Sequence, residues 1–224
     1  MTRTTVTASF FAALFLAGGI AAAQDSPAEK IVEGAYWKHR ASQFKVLPNP
    51  KDEICFLGDS ITDGCEWYEL TGIPSATNRG IGGDTNWGVL ARLSEVTEGK
   101  PAKIFLMIGT NDIAWGGKKP SEAAAKTAEL LDAIKHDSPS TKVYLQSVLP
   151  VIDGRIDNFM NSRIDSLNAE LIKIAKAKGV VWVDLAKWFR DDKGQLKKSY
   201  TEDGLHLTGE GYYQWYSIIR GYLE

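Results

Sequence analysis

The chain has 224 residues, 44% hydrophobic and 24% charged, the balance of an ordinary globular protein. That length suits one α/β domain with a full-sized core and is short for two. A net charge of −2 with no basic run leaves no electrostatic footprint for nucleic acid or an anionic membrane. The substrate is therefore expected to be neutral or held by a local pocket.

In chain order, Arg3, an apolar run over residues 10–20 and the small residues Ala21, Ala22 and Ala23 predict a secretory signal peptide over 1–23, cleaved before Gln24. The expected location is secreted or periplasmic. The run is too short to span a bilayer and no other segment approaches ~20 apolar residues, so no stable membrane anchor is expected. No cysteine follows the run to carry a lipid. Residues 24–50 form the next unit. Ile31, Ala35, Trp37 and Phe44 predict a peripheral helix over 28–44, ended by Pro48 and Pro50. The domain proper is expected over 51–224.

Short runs apolar on both faces follow at 54–57, 104–108, 143–145 and 180–183, with a shorter strand near 76–79. Such runs are what a buried parallel sheet demands. Between them lie helical patterns: Val89, Leu90 and Leu93; Ala124, Ala128, Leu131 and Ile134, with Ser121 as the expected start; and Ile164, Leu167, Leu171 and Ile174, stopped by Gly179. A last helix is expected over 209–222. This alternation predicts a doubly wound α/β sheet, with ligands outside the carboxyl ends of its strands. At those ends stand Gly58-Asp59-Ser60, the turn from Arg79 to Asp84, Gly109-Thr110-Asn111-Asp112 and Gln146-Ser147.

Ser60 becomes a nucleophile only if a base takes its proton. Of three histidines, His39 falls in the peripheral helix and His136 in the last turn of another, where a cation suits the dipole. His206 lies in Asp203-Gly204-Leu205-His206, where a carboxylate three residues earlier can hold one ring nitrogen and free the other to face Ser60. An oxyanion would need donors, and three are available: the N–H of Ser60, the N–H of Gly83 and the Asn111 amide. Asn111 has an alternative use as a turn cap. Cys55, inside an apolar run, reads as a buried thiol, with pairing to Cys65 left open. Rival motifs fail. Thr62 replaces the second glycine of a G-x-S-x-G elbow, the Gly80-x-Gly82 run lacks the third small residue of a dinucleotide fingerprint, and the cysteines and histidines have no metal spacing.

Four blocks now resemble the SGNH or GDSL hydrolases: Phe56-Leu57-Gly58-Asp59-Ser60-Ile61-Thr62, the run from Asn78 to Thr85, Ile108-Gly109-Thr110-Asn111-Asp112, and Asp203-Gly204-Leu205-His206-Leu207. The second and fourth look most like the branch containing platelet-activating-factor acetylhydrolase catalytic subunits and their bacterial relatives. Ile61 stands where fuller GDSL signatures have leucine. The resemblance implies a flavodoxin-like three-layer α/β/α sandwich with a central, mostly parallel sheet and a Ser60–His206–Asp203 triad. It also implies an oxyanion hole of Ser60, Gly83 and Asn111, with no metal and no cofactor.

The expected activity is an exported carboxylic-ester hydrolase for short acyl groups, acetyl first, on a carbohydrate or another small ester. Trp115 is a candidate acyl-pocket wall or sugar platform, or a packing residue. Asp59, Tyr68, Trp67 and Tyr200 are further candidates for lining the substrate. A lysophospholipase or thioesterase, an acyltransferase and a non-catalytic glycan-binding module are the alternatives. The oligomeric state is not legible.

Overall fold

The computed structural model describes residues 34–224. The signal-peptide reading over 1–23 and the first part of the expected 28–44 helix lie outside the described residues.

Helix α1 (Ala35–Phe44) precedes β1 (Ile54–Gly58), the one-turn helix α2 (Ser60–Asp63) and α3 (Trp67–Thr71). Then come β2 (Ala76–Gly80), α4 (Asn86–Ala91), α5 (Ser94–Thr97), β3 (Lys103–Met107) and α6 (Thr110–Ile113). The long α7 (Pro120–Asp137) leads to β4 (Lys142–Gln146), and the long α8 (Asn161–Lys178) to β5 (Val181–Val183). After α9 (Ala186–Phe189), α10 (Gly209–Ile219) closes the fold.

The five strands are all parallel, in the order β2-β1-β3-β4-β5. That is the flavodoxin-like order, and it reverses direction between β1 and β3. Every residue of β1 is buried, as a strand covered on both faces requires. The register sets Phe56 beside Phe105 and Phe105 beside Tyr144. Their rings stack in a row at 5.2 and 4.5 Å. Trp67 of α3 lies flat on Phe56 at 3.8 Å and meets Trp215 of α10 edge-on at 4.9 Å, so α3 and α10 cover this face. On the other face α4, α5, α7 and α8 pack together, with Leu130, Ile134, Leu167 and Leu171 fully buried. These layers form a three-layer α/β/α sandwich.

Two local expectations shift. Helix α7 begins at Pro120, not at Ser121, because proline is preset for the first helical turn and the Glu122 carboxylate accepts the Lys119 N–H at 2.7 Å. Gly179 ends α8 as expected, in the left-handed conformation at φ 65°. Cys55 and Cys65 are both free and buried, so the open question of their pairing closes on thiols. Among the described residues no helix is long and apolar enough to cross a membrane.

Candidate active site

The carboxyl ends of β2, β1 and β3 lie side by side, since Gly58 is in register with both Gly80 and Met107. Neither strand-end glycine has room for a side chain. A Cβ on Gly58 would meet the Met107 carbonyl at 2.3 Å, and one on Gly80 would meet the Asp63 nitrogen at 2.3 Å. The missing side chains let α2 begin directly on the sheet. Asp59 starts it by accepting the Ile61 N–H at 3.0 Å. Ser60 then stands at the switch point of the sheet, where the crevice of such a fold opens.

His206 comes from the opposite end of the sequence. The Asp203 carboxylate organises its loop by accepting the N–H groups of Leu205 at 2.9 Å and His206 at 2.8 Å, the local bonding aspartate favours in turns. Gly204, at φ +94°, packs so closely on Arg155 that a Cβ would lie 2.8 Å from the arginine Cβ. In this turn Asp203 Oδ2 is 2.6 Å from His206 Nδ1, and His206 Nε2 is 2.9 Å from Ser60 Oγ. Partial burial opposes the charge on Asp203, but the hydrogen bonds from the ring and the two amides outweigh it and lower the carboxyl to about 2. It therefore holds the ring as a carboxylate.

Donors face the same crevice. Among residues 81–85, Ile81 donates to the Gly58 carbonyl, Gly82 to Asp63, Asp84 to the Ile81 carbonyl and Thr85 to the Asp84 side chain. Among the described residues, the Gly83 N–H has no protein acceptor, and neither has that of Ser60. Gly83 sits at φ +77° with open space where a side chain would project. Asn111 is buried and gives one amide hydrogen to the Asp84 carbonyl at 2.9 Å, which orients the group and leaves its second hydrogen.

Carboxylates lie beneath these groups. Burial pushes both Asp59 and Asp112 up to about 7. Asp112 receives the Asn86 backbone and side-chain N–H groups, while Asn86 accepts from Thr127, tying α4, α6 and α7 together. Asp84 pairs with buried Arg92 at 2.8 Å.

The structure brings Ser60, His206 and Asp203 together, but several expected substrate contacts are corrected. Asp59 is 1% exposed and its carboxylate turns inward to cap α2. Trp67 is fully buried under α10, its N–H spent on the Thr62 carbonyl. Tyr200 is buried against Phe189, and its carbonyl accepts the Thr208 N–H just behind His206, so it supports the loop from inside. Tyr68 is exposed but makes no hydrogen bond or ring contact with Ser60 or His206. Trp115 is half-exposed, edge-on to Phe159, in the turn that Gly116 closes onto the Asn111 carbonyl. His39 and His136 are exposed, and neither is hydrogen-bonded to Ser60, whose histidine partner is His206. Asp63, Asp84 and Arg92 had no role in the expected site. The acidic residues just after two glycine-ended strands signal Asp63 and Asp84, while the Arg92 pairing has no local signal.

Residues 56–214 match the model of the GDSL-like lipase/acylhydrolase family. The chain is 30% identical over 194 residues to the platelet-activating factor acetylhydrolase IB subunit alpha2 of Rattus norvegicus, covering 83% of this chain and 82% of that one. The human protein of that name matches with the same identity and coverage. Among solved structures, a GDSL-like lipase from Bacteroides thetaiotaomicron is similar with a TM-score of 0.73 and 28% identity, covering 84% of this chain and 96% of the other.

Proposed function

The chain belongs to the GDSL-like lipase/acylhydrolase family and is a carboxylic-ester hydrolase, and from that premise we propose that it removes short acyl groups by a serine mechanism. The observation that carries this reading is the continuous relay of Asp203, His206 and Ser60, at 2.6 and 2.9 Å, beside two unpartnered backbone donors.

In this mechanism Ser60 Oγ attacks the ester carbonyl as His206 Nε2 takes its proton. The carbonyl oxygen becomes an oxyanion and is received by the Ser60 and Gly83 N–H groups and the free Asn111 amide hydrogen. Collapse expels the alcohol, which carries away the proton from His206. Water, deprotonated by the same ring, then attacks the acyl-Ser60 ester; collapse expels Ser60 Oγ, which takes the proton back from His206, and the acid leaves. Asp203 fixes the tautomer and stabilises the imidazolium at each stage. These groups complete the reaction without a cofactor or metal.

The acyl group we assign is acetyl and the leaving group a carbohydrate. The first half is supported by the name of the rat relative, an acetylhydrolase, and by short polar turns around Ser60. The second is supported by half-exposed Trp115 beside the Asn111 turn, a surface on which a sugar ring can stack. The reading includes export, on the strength of the apolar run and small residues over 1–23.

Ser60→Ala is expected to abolish both hydrolysis of p-nitrophenyl acetate and labelling by a fluorophosphonate, and persistent labelling removes Ser60 from the role. Rates on longer acyl esters are expected to fall. A rise beyond roughly eight carbons, each buried CH₂ contributing about 0.8 kcal/mol, favours a lysophospholipase or thioesterase instead.

A further inference from the structure

Helix α1 is unusual in what it buries. Only Ala41 and Phe44 are enclosed, in a small cluster with Ile81 and Trp37 that stands apart from the main core. Its first two turns instead spend polar groups on the residues that flank the glycine turn. Tyr36 donates its hydroxyl to Asp63 Oδ2 at 2.5 Å, and Arg40 pairs with Asp63 Oδ1 at 2.9 Å. Asp63 Oδ2 also accepts the Gly82 N–H at 3.2 Å. One carboxylate therefore joins α1, the helix that begins at Ser60 and the turn before Gly83. The Tyr36 ring lies against that turn, since a Cβ on Gly82 would come within 3.1 Å of its Cε1.

A second link runs on the far side of Gly83. Trp37 Nε1–H donates to Asp84 Oδ1 at 3.0 Å, while Arg92 holds Asp84 Oδ2. The Asp84 carbonyl is the acceptor that orients Asn111. Gly82 and Asp84 are thus both tethered to α1 through carboxylates, and between them Gly83 keeps its N–H free.

We propose that α1 is a positioning element of the ester site, with Tyr36 and Arg40 acting through Asp63 to hold the Gly83 N–H, and Trp37 through Asp84 to hold the Asn111 amide, where the oxyanion forms. This rests on the oxyanion role given above to Gly83 and Asn111. It assigns function to residues 36–40, which lie before the matched family region. Preorganised donors contribute because they need no reorganisation as charge develops, so loosening them slows the chemical step and leaves ester binding alone.

The test uses Trp37→Phe and Tyr36→Phe, which remove one donor each and leave an aromatic ring in place, with Asn111→Ala as reference. Rates are normalised to the sites titrated by a fluorophosphonate, so loss of folded protein does not count as loss of rate. On p-nitrophenyl acetate, each phenylalanine variant is expected to lower kcat by about 5- to 50-fold, below the roughly 100- to 1,000-fold for losing a whole donor. KM should stay within about twofold, and the affinity for a trifluoromethyl ketone, which binds as a tetrahedral adduct, should fall in parallel. In an Asn111→Ala background, Trp37→Phe should have much less effect, because both act on one amide. Unchanged kcat in both phenylalanine variants while Asn111→Ala is slow overturns the role of α1 and leaves the oxyanion reading standing. Full additivity of Trp37→Phe with Asn111→Ala also overturns it. A normal kcat in Asn111→Ala overturns the oxyanion reading and the proposal with it.

Discussion

The two halves of the site are built in opposite ways. The Ser60 half is buried: Asp59, Asp84, Arg92, Asn111 and Asp112 are each at most 3% exposed and bonded to several elements at once. The Asp203–His206 half is a surface turn whose two side chains are 48% and 44% exposed and whose bonds are mostly to near neighbours. Donor geometry for an oxyanion needs rigid, water-poor surroundings, whereas a histidine that must exchange protons with water benefits from contact with it. The fold fixes one half by tertiary structure and the other by local backbone chemistry.

That contrast can be broken by separating activity from stability. His206→Ala is expected to cost roughly 10⁴-fold in kcat/KM, comparable to other losses of a triad member, yet to shift Tm by no more than about 2 °C because the side chain buries little. A collapse of the fold on this substitution would refute the idea of a locally built half. Asp84→Ala tests the other half. It leaves the Arg92 guanidinium buried without its carboxylate, a defect of about 3–5 kcal/mol, so calorimetry should show Tm falling by the order of 10 °C along with lost turnover.

The gentlest perturbation is of pH alone. Asp59 and Asp112 titrate near 7 when folded and near 4 when unfolded, so they favour folding most at low pH and lose that contribution as pH rises through 7. Asp203 has the opposite sign. Its contribution is present above about 4 and lost only as pH falls toward 2, so it adds no slope near neutrality. Tm should therefore decline between about pH 4 and 7, and Asp59→Asn should flatten the decline. An unchanged slope in that variant would show that the buried carboxylates are not its source.

Much of this was legible in the sequence for a physical reason. A doubly apolar strand ending in glycine marks both a buried parallel strand and a close approach at its tip, so Gly58 announced the strand end that carries Ser60. The Asp203-x-x-His206 pair was readable because a tight turn brings residues three apart together. What stayed hidden were contacts between distant segments. Nothing local in Tyr36, Trp37 or Arg40 shows that they reach Asp63 and Asp84, 23 to 47 residues away. The same blindness misassigned Trp67 and Tyr200, because an aromatic looks alike in sequence whether it faces a ligand or a neighbouring ring.

The two free thiols have a kinetic consequence. Burial drives the Cys65 thiol up to about 12 and Cys55 higher still, and only the thiolate reacts at a useful rate. Both thiols are also buried, so alkylation at neutral pH is expected to be slow in the folded molecule and to proceed mainly when the protein opens. The two positions grade that opening. Cys55 lies within the central strand β1 and is reached only when the sheet itself parts, whereas Cys65 sits at the join of α2 and α3 and is reached when that short crossover lifts. The chain thus carries two internal clocks, one for the whole fold and one for the segment that bears Ser60.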